Sequence, residues 1–202
     1  MMIFPPIPAM ERRCAPAGES YRAGPPGPPS RDVRMTIALE LQPASGTSPA
    51  VHYRWDTETD IFTATLSLPA QLRAPSGAVE IEGTDGTWLV LDLEARRLVG
   101  VEVALWPDVH RNSALAAPRE VENAQILVPP PASGRAAAIA EVEAPVCAEA
   151  DDAERVVHFR IGDRREIRSV RVGSDLLLDV DRQGCLAGLW FLNMPPYPVT
   201  TP

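Results

Sequence analysis

The stretch VHYRWDTETDIF, Val51 to Phe62, returns in the second half of the chain as VHFRIGDRREIR, Val157 to Arg168. The match extends without a gap over residues 51–66 and 157–172. LVLDLEARRLVGVEVALWP is then answered by LLLDVDRQGCLAGLWFLNMPP, with one extra residue in the second turn. TIALELQ before the first copy has a counterpart in AIAEVEA before the second. Internal self-similarity limits architecture more than any single residue does, because each copy must form a like unit. It predicts two related modules, the first with an insertion around APSGAVEIEG that the second lacks.

The period inside each copy is two. In VHYRW, Val51, Tyr53 and Trp55 point to one face and His52 and Arg54 to the other; Val157, Phe159 and Ile161 against His158 and Arg160 repeat the choice. Runs of strand length such as DIFTATLSL, TWLVLDL and EIRSVRV are separated by turn formers such as DTET and TDGT. The expected fold is all-β: two tandem antiparallel β-meander modules packed as a sandwich-like unit. One small sheet with a single apolar face cannot cover itself, and a second copy can. The boundaries read as module 1 over 35–106, a linker or crossover over 107–135 ending in VPPPASG, and module 2 over 136–193. A Pro-rich tail over 194–202 either straps a module edge or docks a partner.

Residues 1–34 hold eight prolines and no apolar period, so they are expected to be disordered, or to precede a true start at Met35. The 45% hydrophobic content of the chain is enough for a buried core. A net charge of −8 repels phosphate backbones and anionic membrane surfaces, so neither nucleic acid nor membrane is an expected partner. Cys14, Cys147 and Cys185 stand at unrelated spacings that form neither a disulfide framework nor a metal knuckle, which points to the cytoplasm. No cofactor and no metal is expected, since no phosphate loop, dinucleotide fingerprint or zinc-protease pattern occurs.

Tyr53, Asp56, Asp60, Ile61 and Phe62, followed by LDLEARRLVGVEV with Asp92, Gly100 and Glu102, resemble a small bacterial β-rich domain family of unknown function. That family runs Y-D-x-x-x-D-x-L-Y-I and then D-x-D-x-x-G-x-x-V-G-I-E-I. The second half keeps LDVDRQGCLAGLW, with Asp179, Asp181, Gly184 and Gly188, but has Trp190 where the family has Glu; Arg97 stands where it has a turn Gly. The resemblance implies small antiparallel β modules, carries no catalytic residues, and suggests antitoxin-like partners of toxin-like proteins.

Four residues are candidates for ligand or anion binding: His52, Arg54, His158 and Arg160, a duplicated pair joining a group that titrates near neutrality to a planar donor fork. Against this stands a solvated strand face pairing with carboxylates such as Glu80 or Glu82. Arg164, Arg165, Arg168 and Arg171 are candidates for a partner surface, a basic cluster in an acidic chain. Asp92, Glu94, Asp179 and Asp181 read as turn residues bonding their own backbone, AEADDAE as a solvated linker, and Gly100 and Gly188 as packing features. The leading functional expectation is a non-catalytic protein-binding or regulatory, antitoxin-like pair of β modules acting through a protein partner or self-association. The alternative is a small-molecule or anion-binding site, open to enzymatic use, at the interface of the two repeats.

Overall fold

A computed structural model describes residues 37–44, 46–68, 76–129 and 140–198, and these form strands and turns with no helix. The expectations for residues 1–34 and for the end of the tail lie outside the described residues. No helix among the described residues is long and apolar enough to cross a membrane. The strands are β1 (Glu40–Pro43), β2 (Val51–Asp56), β3 (Ile61–Leu66), β4 (Ser76–Gly83), β5 (Trp88–Glu94), β6 (Arg97–Leu105) and β7 (Val109–Arg111). They continue with β8 (Glu122–Leu127), β9 (Ala140–Ala144), β10 (Val146–Ala150), β11 (Val157–Ile161), β12 (Ile167–Gly173), β13 (Leu176–Asp181) and β14 (Leu186–Phe191).

The strands belong to one curled, mixed sheet with two halves. The first half runs β2-β3-β6-β5-β4-β9; the second runs β7-β10-β11-β14-β13-β12-β8, with β1 beyond β8. They join at a single pair, Arg97 opposite Leu127. Alternation decides which face is buried. Phe62, Ala64, Val79, Ile81, Leu89, Leu91, Val101 and Val103 of the first half share one core with Val157, Phe159, Val170, Leu176, Leu178, Leu189 and Phe191 of the second. The rings of Phe62 and Phe191 cross at 90° with centroids 5.4 Å apart, and those of Phe159 and Trp106 lie 5.5 Å apart. Each fully buried Phe contributes roughly 1.5–3 kcal/mol by leaving water, so the contact between halves is a core and not a contact of surfaces. Tyr53 adds a polar tie: its hydroxyl donates to the Asp175 carbonyl at 2.5 Å, and burial raises its pKa, which keeps it a donor.

The segment read as a linker crosses between the halves and builds structure on the way. β7 and β8 pair in parallel with β10 and β12 of the second half; beyond that segment β9, expected in module 2, pairs in parallel with β4 of the first half. The start of the Pro-rich tail lies against β2 and the β2–β3 turn. Trp55 Nε1 donates to the Pro195 carbonyl at 3.2 Å, and Tyr197 stacks edge-on against Trp55 while its hydroxyl bonds Asp60.

The all-β fold is as expected, but the connection inside each half is not a simple meander. β4-β5-β6 and β12-β13-β14 are hairpin-linked, and β3 and β11 lie beside β6 and β14, a Greek-key order. Both halves use the same register: Asp92 faces Gly100 as Asp179 faces Gly188, and Thr63 faces Glu102 as His158 faces Trp190. The gapless match of 51–66 with 157–172 is therefore one strand out of step. VHYRW is β2, whose counterpart is β10, whereas VHFRI is β11, whose counterpart is β3. β4, expected as an insertion, holds the place of β12. Short alternating strands satisfy the same period wherever they sit, so likeness between two of them does not fix which neighbour each pairs with.

Candidate functional site

Four strands bring a polar row to the outer face of the second half: Ser169 on β12, Asp179 on β13, Gly188 and Trp190 on β14, and His158 with Arg160 on β11. Asp179 is the hub. Its Oδ1 accepts from Ser169 Oγ at 2.5 Å, and its Oδ2 lies 2.9 Å from His158 Nε2 and accepts from Trp190 Nε1 at 2.9 Å. The carboxylate is fully buried, where a charge persists only if hydrogen bonds replace its water. His158 reaches it across a whole strand because Gly188 has no side chain. A Cβ there would stand 3.0 Å from Asp179 Oδ2 and 3.1 Å from His158 Nε2. The imidazole lies flat on the Trp190 ring, with centroids 3.9 Å apart and planes 12° apart.

Beside this row lies a depression of about 270 Å³ lined by His158, Arg160, Asp179 and Ala187 together with Arg164, Arg165 and Ile167. Glu149 and Asp163 also line it. Arg165 is committed to the fold. It pairs with Asp181 at 2.9 Å and donates to the Leu186 carbonyl at 2.6 Å and the Ile161 carbonyl at 3.3 Å, pinning the β11–β12 connection onto the β13–β14 hairpin. Arg160 and Arg164 form no ion pair or hydrogen bond with the described residues. Two uncommitted guanidinium groups thus share a small concavity with an oriented imidazole. This is a donor-rich site for an anion.

The structure separates the candidates drawn from the sequence. His52 and Arg54 lie exposed on β2, facing Thr65 and Thr63 on the outer face of the other half, and do not meet His158 or Arg160. The interface between the halves holds no histidine pair: alternation turns Tyr53, Trp55 and Phe159 inward, and rings fill that space. The arginine cluster disperses. Arg164 enters the depression, Arg165 is structural, Arg168 faces Glu122 at 3.8 Å, and Arg171 donates to the Ser174 carbonyl at 2.5 Å.

Asp181 is the turn residue expected, accepting from the Gln183 and Cys185 amides, but Asp179 is a mid-strand hub. The reading of AEADDAE as a solvated linker also fails: residues 148–150 belong to β10, and Glu154 is buried and bonded to Arg111 of β7. Ser169, Asp179, Trp190 and Ile167 were missed as site residues. The usable signal was an Asp on the polar phase of a strand facing a Gly of the next, with Trp two positions beyond that Gly.

The first half carries the same Asp and Gly with different surroundings. Thr63, Thr65, Ala78 and Glu102 stand where the second half has His158, Arg160, Ser169 and Trp190. There Glu102 is raised above the ordinary carboxylate range by burial and then by the charge of Asp92, which burial also raises. A shared Asp–Gly scaffold thus bears a donor-rich site in one half and an acidic face in the other. His158 with Asp179 has the geometry of a base held by a carboxylate, but Ser169 bonds the carboxylate and not the imidazole, so no activated serine results. No protein-family model and no curated protein matches the chain.

Proposed function

We propose that the protein is a non-catalytic binding protein whose recognition site is the depression on the outer face of the second half, and that what it recognises is an anionic group. The observation that carries this reading is the pair Arg160 and Arg164, which converge on one concavity without an ion pair among the described residues. Two unpaired guanidinium groups in one concavity are available to an anion, and the imidazole fixed by Asp179 adds a third directional group. The proposed location differs from the repeat interface because aromatic side chains fill that interface. A regulatory, antitoxin-like role through a protein partner accords with the family resemblance, and the same depression would then receive an acidic group of that partner.

The test is thermal unfolding of the full chain across a panel of carboxylates, phosphate and sulfate, beside an Arg160→Ala, Arg164→Ala double variant. A ligand that binds only the folded state raises the midpoint. At least one anion is expected to do so in the unaltered protein and not in the variant. An identical response of both proteins to every anion would reject the reading.

A further inference from the structure

We infer that the group received by the depression is a single carboxylate carried on an aliphatic body, not a phosphoryl group; this rests on the anion-binding reading above. Three observations converge on it. The first is charge balance. Arg160, Arg164 and Arg165 share the lining with Glu149 and the buried Asp179, and Arg165 is already neutralised by Asp181. A dianion entering beside these acids meets repulsion that a monoanion largely escapes, while one guanidinium fork matches one carboxylate with two parallel hydrogen bonds.

The second is apolar surface. Ile167 is 43% exposed and is one of two large hydrophobic residues so exposed among the described residues; it lines the depression together with Ala187. An aliphatic group seated there would remove that surface from water. The third is size. About 270 Å³ is below the roughly 300–1,000 Å³ of sites for drug-sized ligands. It suits one residue or one short acid. Two sources supply this chemistry, a free branched-chain acid and the C-terminal residue of a peptide.

Calorimetric titration of the full chain separates them, using isovalerate, its primary amide, acetate, inorganic phosphate, and a tetrapeptide ending in leucine with a free carboxyl group. Isovalerate is expected to bind about tenfold or more tightly than its amide, a loss of one charge-assisted pair, and more tightly than phosphate. Arg160→Gln should weaken isovalerate about tenfold, and Ile167→Ser should weaken isovalerate while leaving acetate unchanged. Ile167 is exposed, so that variant retains the fold. Tighter binding of the tetrapeptide than of isovalerate assigns the source to a peptide terminus, and equal or weaker binding assigns it to a free acid. Phosphate binding more tightly than isovalerate, and lost in Arg160→Gln, would overturn the carboxylate assignment while leaving an anion site. Absence of binding by every probe would overturn both.

Discussion

His158 and Asp179 lie two strands apart yet meet at 2.9 Å, because the strand between them presents Gly188 at the crossing point. The contact makes the geometry of the candidate site depend on a missing side chain. It explains how three adjacent strands bring an imidazole, a carboxylate and an indole into mutual contact.

Gly188→Ala should therefore disturb the site more than Gly100→Ala disturbs its counterpart. A Cβ at 188 would stand 2.6 Å from the Phe159 carbonyl oxygen, whereas at 100 the nearest atom is the Ala64 carbonyl oxygen at 3.2 Å. Overpacking of this kind costs about 1–3 kcal/mol. Urea unfolding of the two variants checks the ranking, which equal midpoints would refute.

Asp179→Asn keeps the size of the hub but turns one acceptor into a donor against existing donors. A loss of about 1–3 kcal/mol is expected for the unsatisfied buried groups, with a change in Trp190 environment seen by fluorescence. Asp92→Asn, at the matching position of the other half, where the carboxylate accepts no hydrogen bond from the described residues, should have little effect.

The acidic face predicts a pH dependence of opposite origin. The folded protein holds the Glu102 proton more tightly than the unfolded chain does, because burial and Asp92 raise its pKa. Its contribution to stability is thus fully present below the unfolded pKa and is lost as pH rises through the folded one. Glu102→Gln should stabilise the protein at neutral pH by less than about 1 kcal/mol, since the group is only partly buried. The gain should vanish on acidification. Melting curves at pH 7 and pH 4 provide the comparison.

Interlocking of the halves predicts one unfolding transition. Phe62→Ala, which removes a ring packed on Phe191 of the other half, should cost about 3–5 kcal/mol and shift a single cooperative transition. Two separable transitions would mean that the halves fold independently.

The strand content was legible because a period of two, interrupted by turn formers, has few other solutions. What failed was partner choice. VHYRW and VHFRI satisfy the same pattern, yet one is an outer strand and the other lies between β10 and β14, a difference set by crossovers that local sequence does not encode. The site was half legible for a similar reason. His158, Arg160 and Arg164 could be flagged by residue type, but Asp179 looked like a turn residue because its strand ends two positions later, in Asp181. Only strand pairing reveals that a Gly lies opposite it. β13 is buried on both faces: Leu177 packs outward with Leu115 and Val121, so the run Leu176 to Leu178 lacks alternation.

The most direct test of the binding site is nuclear magnetic resonance of the full chain during titration with isovalerate. The Trp190 indole N–H donates to Asp179, and the His158 ring lies on Trp190 beside the arginines. Ligand entry should move the Trp190 indole and His158 ring signals while leaving His52 and the Trp55 indole, on the other half, in place. Movement at His52 or Trp55 with Trp190 and His158 unchanged, or no movement at saturating ligand, would contradict the assignment of the site to this face.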